Sequence, residues 1–402
     1  MLAERTSYYT ALDKAVSGPL RIACGVFMLI MTEMQRKENT IMKYQGRSDF
    51  QHGERAKLGV LITNLGTPEA PTPKALRKYL AQFLSDPRVV EYPRLLWKLV
   101  LHGVILRIRP ARSAKAYQTV WTEQGSPLLV HSQAQRDALA ALLAQRYGDG
   151  VEVALAMRYG EPSIPSAIDK LMQAGVRKLV VLPLYPQYSG STSASTFAAL
   201  ASDFTRRRWL PDLRFISHYH DYPPYIAAVA EKIKAHWAEH GRCDKLVLSY
   251  HGVPKRYLLE GDPYFCECYK TSRLIAEYLD LNESDYITTF QSRFGREEWL
   301  QPYTDATLKG LPAQGVKSVQ MVCPGFSADC LETIEEIGEE NREYFMQAGG
   351  EDYQYIECLN ADTAHIDMIA QLVEDTIQGW VAQDSADATQ VVERAKSLGA
   401  PR

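Results

Sequence analysis

Eight short runs of nearly continuous apolar and β-branched residues punctuate the chain, and they restrict its fold more than anything else in it. Four begin at Leu58, Val151, Lys178 and Leu213, and four more at Lys245, Tyr286, Ser318 and Tyr353. A strand with one wet face alternates polar and apolar residues; a continuous run is covered on both faces and belongs to a parallel sheet flanked by helices. Helical patterns lie between the runs, at Ser132 to Tyr147, Pro165 to Ala174, Tyr225 to His240, Lys270 to Leu279 and Asp362 to Val381. Gly175 and Gly241 supply stop signals. Four strands plus four, each linked by crossover helices, predict two Rossmann-like α/β domains, each a four-stranded parallel sheet flanked by helices.

A length of 402 residues suits two cores. The expected division is an extension over 1–56, a first α/β domain over 57–220 and a second over 221–360. A helix over 361–383 is expected to pack back on the first domain, followed by a loose tail over 384–402. The apolar run Ile22 to Met31 has the length of a signal core, but no small-residue cleavage site follows it. A signal, an amphipathic anchor and an over-long assigned start all remain. The last is preferred because α/β patterning begins only near Leu58, with Met34 or Met42 as the alternative start. No run is long enough to span a membrane. Between Ala81 and Ile108 the apolar residues exceed one helical stripe, so the segment is either a core helix or an apolar lip that guides a greasy substrate or touches a membrane.

The formal net charge of −3 gives no sign of nucleic-acid binding. Seven scattered cysteines, an odd number, argue against a disulfide framework and for a reducing, cytosolic setting. Only Cys266 and Cys268 are close, and they lack the second pair that a closed zinc or iron–sulfur site needs, so no cluster is expected.

Ligands of open α/β sheets bind beyond the carboxyl ends of the strands. The residues that follow the runs are Asn64 to Pro68, Arg158 with Tyr159, Tyr188, His251, Trp299, and then Phe326, Asp329 and Glu332. They comprise a histidine, carboxylates, aromatics and a cation. There is no glycine-rich phosphate cradle, nucleophile elbow or H-E-x-x-H motif, which sets nucleotide and acyl-transfer chemistry aside. Histidine exchanges protons near neutral pH, so His251 suits a proton acceptor; the plainer reading is a histidine that caps its strand.

The run L-V-L-S-Y-H-G-V-P resembles the signature of the ferrochelatases, and V-C-P-G-F-S-A-D-C-L-E-T-I-E-E-I resembles their second signature. L-I-T-N-L-G-T-P, A-M-R-Y-G, P-L-Y-P-Q-Y-S and F-Q-S-R-F-G-R-E-E-W-L-Q-P match in the same order, and the likeness runs from about Leu58 to Val381. The resemblance implies a chelatase-like fold that inserts Fe(II) into protoporphyrin IX. The product is protohaem with release of two protons, the final step of haem biosynthesis. Porphyrin and ferrous iron are then the partners, iron is a substrate, and no cofactor is required. The implied setting is cytoplasmic, held peripherally at the inner membrane.

By the same resemblance His251 takes the ring protons and Glu332 assists from across the cleft, with Glu336 joining them as a transient iron site. Glu332, Glu336 and Glu340 recur every fourth residue and share one helix face, as a carboxylate row leading iron inward. Glu335 and Glu339 beside them support a plain solvated face instead, and Asp329 with Glu332 also fits a capping box. Leu65, Tyr188, Trp299 and Phe326 match positions that sandwich the macrocycle, and Asp329 joins the substrate set. Arg112, Lys115, Ser126 and Arg158 with Tyr159 are expected to hold the propionates. Cys330 stands where some family members carry histidine, and the cysteine-rich C-terminal extension that holds a cluster in some relatives is missing. Rival readings are a coproporphyrin ferrochelatase, a cobalt or nickel chelatase for another tetrapyrrole, and a haem-binding protein without turnover.

Overall fold

The structure is a computed structural model that describes residues 44–295, 297–380 and 388–400. The run Ile22 to Met31 and the alternative starts Met34 and Met42 lie outside the described residues. The first sheet comprises β1 (Lys57–Gly66), β2 (Val151–Tyr159), β3 (Val176–Pro183) and β4 (Asp212–Phe215), in the order β2-β1-β3-β4. The second comprises β5 (Lys245–His251), β6 (Tyr286–Gln291), β7 (Ser318–Val322) and β8 (Asp352–Tyr355), in the order β6-β5-β7-β8. Every pairing is parallel, and the two orders are the same once renumbered.

The continuous apolar runs are explained by burial on both faces. In β1, Val60 and Ile62 enter one core cluster while Leu61 enters another, as the two-residue side-chain period requires. In β5, Leu246 and Leu248 face the same cluster as Val60, and Val247 faces a third. The cluster around Val60 and Leu248 also takes in Leu139, Val229, Ile233, Ile369 and Val373, so helices Pro127–Tyr147, Pro223–His240 and Thr363–Thr376 fill one core between the sheets. The two domains expected from the sequence are therefore lobes of one compact unit, Arg47–Thr205 with Trp209–Arg402. Burying each of these aliphatic side chains stabilises the unit by about 1.5–3 kcal/mol.

The helix Thr363–Thr376 lies against Pro127–Tyr147 of the first lobe, where Glu374 accepts from Arg146 Nη1 at 2.9 Å and from the Tyr147 hydroxyl at 3.0 Å. At the end of the extension Arg47 pairs with Glu54 at 2.7 Å, and Phe50 packs edge-on against Trp209 of the first lobe. The segment expected to be a loose tail contains a helix, Ala388–Ser397, that buries none of its residues. The helix Pro127–Tyr147 starts five residues before the apolar pattern at Ser132, because Pro127 is pre-organised for a first helical position.

The apolar segment of the first lobe divides in two. Leu84, Leu101 and Leu106 are buried, whereas the helix Arg94–Val100 buries nothing. Leu95, Leu99 and Ile108 are 81%, 72% and 69% exposed, so core and exposed apolar side chains alternate along this stretch. No helix among the described residues is long and apolar enough to cross a membrane.

Candidate functional site

His251 is the last residue of β5, in register with Gln291 at the end of β6. Its Nδ1 lies 2.6 Å from the carbonyl oxygen of Gly252. A carbonyl only accepts, so Nδ1 carries the hydrogen, and in the neutral imidazole Nε2 is the acceptor. The His251 carbonyl accepts from the Tyr264 hydroxyl at 2.9 Å, which holds the strand end in place. Gly252 is needed here, because a Cβ would lie 2.8 Å from the Gln291 carbonyl oxygen and 3.2 Å from the Trp299 ring. Trp299 itself sits with its ring centroid 6.5 Å from that of His251, and its buried Nε1 has no protein acceptor.

Glu332 opens a π-helix, Glu332–Glu340, a form often found at functional sites. Buried Gln291 donates from Nε2 to the Glu332 carbonyl at 3.0 Å and accepts from Ser249 at 2.8 Å. The acid and the imidazole both belong to the second lobe, as the division at 221–360 implies, and Gln291 joins their backbones. Glu332 nonetheless sits at the join, since its charge helps burial raise the phenols of Tyr79 and Tyr117 in the first lobe. Burial and neighbouring Arg112 lower the Arg109 guanidinium, and Tyr79 and Glu332 oppose them.

Glu336, the next member of the row, accepts from the Ser292 backbone N–H at 2.8 Å and from the Ser292 hydroxyl. Burial pushes its carboxyl up to about 7; Glu332 adds to this while the Ser292 bonds oppose it. Ser292 holds φ at 64°, a left-handed conformation uncommon outside glycine, and so turns both of its donors onto Glu336. Glu340 is exposed and takes a bond from the Tyr344 hydroxyl. The acidic face is therefore graded, from half-buried Glu332 and Glu336 to exposed Glu339 and Glu340, and not uniformly solvated.

The aromatic wall is partly assembled. Leu65, from the first lobe, and Phe326, from the second, pack together with Leu128, Ala328 and Cys330. Tyr188 is half-buried, its backbone N–H given to Glu267 at 2.7 Å. Ser126 is buried and accepts from the Thr67 hydroxyl at 2.7 Å. Thr67 follows Gly66, whose φ is +109° and where a Cβ would fall 1.7 Å from the Tyr159 carbonyl oxygen; only glycine ends β1 this way.

Three expected substrate contacts are instead occupied within the protein. Arg158 pairs with Asp86 at 2.5 Å and donates from Nε to the Ser195 hydroxyl at 2.7 Å. The Tyr159 hydroxyl, wholly buried, reaches Asp86 at 2.8 Å. Burial raises the Asp86 carboxyl, but bonds from Ser195, the Arg88 N–H and Tyr159, with the Arg158 charge, bring it below its ordinary value. Asp329 is buried among the Thr333 hydroxyl at 3.0 Å, the Tyr355 hydroxyl at 2.5 Å and the Asn360 amide at 2.6 Å. Nor does Asp329 cap the π-helix, where Leu331 stands at the cap and no side chain bonds it.

Arg112 and Lys115 are exposed on the helix Leu106–Val120. Arg109, three residues before Arg112 and so on the same face, is half-buried with its guanidinium 4.7 Å over the Phe294 ring. Sequence reasoning passed over Arg109, Gln291 and Ser292. Gln291 and Ser292 could have been flagged because they end β6, where ligand-facing residues belong; Arg109 carries no local signal.

Fold and site together define a two-lobed, doubly wound α/β protein whose strand ends carry acid–base groups and aromatic walls where nucleotide-binding relatives of the architecture carry a phosphate loop. The ferrochelatase family model matches residues 57–377, and the chain belongs to the ferrochelatase family. The ferrochelatase of Idiomarina loihiensis is 66% identical over 349 residues, covering 87% of this chain and 96% of that protein. The ferrochelatase of Marinobacter nauticus is 67% identical over 339 residues, covering 84% and 92% respectively. Among solved structures, SirB from Bacillus subtilis with Fe3+ aligns with a TM-score of 0.48 at 12% identity, over 82% of this chain and all of that one.

Proposed function

We propose that this protein inserts Fe(II) into protoporphyrin IX, releasing two protons and protohaem. The observation that carries the reading is the 2.6 Å contact of His251 Nδ1 with the Gly252 carbonyl, which in the neutral imidazole leaves Nε2 as the proton acceptor at a strand end. Ring N–H protons pass to Nε2. Glu336, with a carboxyl near 7, can take up or release a proton at neutral pH, and with Glu332 it offers oxygen ligands to iron in transit. Leu65, Tyr188, Trp299 and Phe326 supply apolar surface for a flat ring.

Arg109, Arg112 and Lys115, spaced by three along the helix Leu106–Val120, suit the propionates better than Arg158, which Asp86 already engages. No further cofactor is part of the reading. The exposed row Leu95, Leu96 and Leu99 fits a lip resting on the cytoplasmic face of the inner membrane, where a hydrophobic product would leave. Anaerobic mixing of protein, Fe(II) and protoporphyrin should give haem absorbance catalytically. Faster turnover with coproporphyrin, or with cobalt or nickel on another tetrapyrrole, would reassign the substrate, and binding without turnover would leave only a carrier.

A further inference from the structure

Where the chain leaves the first lobe, beyond β4, two histidines two residues apart meet a buried acid. Glu267 lies in the first turn of the helix Tyr264–Tyr278, with its side chain 8% exposed. Its Oε1 is 2.6 Å from His218 Nδ1, and its Oε2 is 3.3 Å from His220 Nδ1. The ligand-capable atoms of all three residues lie within 4.8 Å of one another. His220 is 6% exposed, and its Nδ1 is buried with no hydrogen-bond partner, although it points at Glu267. Leaving such a nitrogen unpaired costs about 1–3 kcal/mol, so the arrangement is incomplete as it stands. A cation placed about 2.0–2.2 Å from each donor would complete it.

We propose that His218, His220 and Glu267 form a binding site for a divalent transition metal of the Zn2+, Co2+ or Fe2+ class. Two imidazoles and one carboxylate are the donor set that such ions favour, whereas Mg2+ and Ca2+ take oxygen ligands almost throughout. His220 is kept in its neutral, ligating form chiefly by burial, against the pull of Glu267 and Asp221. Asp221 lies 3.9 Å from His220 Nε2 and is itself engaged by Lys270 at 2.5 Å, which sets the ring from its far side. His218 is 49% exposed, which gives the ion a way in and leaves room for water as a further ligand. Because Glu267 Oε2 also holds the Tyr188 backbone N–H, an ion here stiffens the loop that carries Tyr188.

The site is tested by anaerobic titration of the full chain with Co2+ and Zn2+ in the absence of porphyrin, against a chromophoric competitor. His218→Ala and Glu267→Gln should each weaken one metal equivalent on the order of 100-fold or more and remove its Co2+ visible bands, while Mg2+ does not compete. His251→Ala should keep that equivalent, which separates this site from the proposed reaction. Zn2+ should raise the Tm of the parent and of His251→Ala, but not that of His218→Ala. Half-exposed His218 can be replaced without disturbing the core, so this variant decides if Glu267→Gln does not fold. Unchanged Co2+ stoichiometry and affinity in His218→Ala would overturn the proposal and leave a plain histidine–glutamate pair.

Discussion

The two sheets are built to the same plan, yet their strand ends are used in opposite ways. In the first lobe the polar residues after β2 close on one another: Arg158, Tyr159, Asp86 and Ser195 satisfy each other and offer little to a ligand. In the second lobe Asp329 is likewise enclosed and Glu336 is held by Ser292, but other groups at the strand ends are left open. His251 is engaged at Nδ1, which turns Nε2 away from the Gly252 carbonyl, Trp299 Nε1 lacks a protein acceptor, and burial raises the Glu336 carboxyl to about 7. One topology thus yields a wall in one copy and reactive groups in the other. The lesson is that position at a strand end makes a residue available for chemistry only if no internal partner takes it first.

The largest expected break in this asymmetry comes from the open side. His251→Ala should lower the rate of metal insertion by roughly 10²–10⁴-fold in a stopped-flow or steady-state assay, while porphyrin binding followed by fluorescence is retained. Undiminished insertion would move the proton acceptor elsewhere. On the closed side, Asp86→Ala strands Arg158 and should cost about 3–5 kcal/mol in denaturant unfolding. Loss of porphyrin affinity at unchanged stability would instead return Arg158 to the ligand.

Glu336→Gln sharpens the comparison through pH. The folded carboxyl is raised to about 7 by burial, so its favourable contribution is complete below the unfolded value and is lost as pH rises through the folded one. The variant should therefore match the parent near pH 4 and exceed it by about 1–3 kcal/mol at pH 8, read from unfolding midpoints at both values. Equal stability at both would place the carboxyl in water. The smallest effect on folding belongs to the lip. Leu99→Ser should change stability by less than about 0.5 kcal/mol, yet weaken co-sedimentation with anionic lipid vesicles if the lip meets a membrane.

Much of the scaffold was legible because strand burial is a local property. Continuous runs such as V-L-I-T in β1 mark two covered faces wherever they occur, and the parallel sheets follow. His251 and Glu332 could be singled out because strand ends and motif order are also written locally. The fate of Arg158 was hidden, since its partner Asp86 lies in F-L-S-D-P, 72 residues earlier in the chain. The same holds for His218 and His220, whose acid stands on a helix 49 residues beyond the first of them.

By itself, then, the sequence determined the alternation of strands and helices, the doubly wound class and the strand ends at which polar groups gather. Those follow from side-chain periodicity and turn chemistry within a few residues. Only the tertiary structure decided that the two lobes share one core, that Gln291 ties the Glu332 backbone to the end of the His251 strand, that Ser292 turns left-handed to hold Glu336, and which charges are spent inside. Each of these depends on pairings between distant segments, where packing and desolvation choose one partner among several of equal local plausibility.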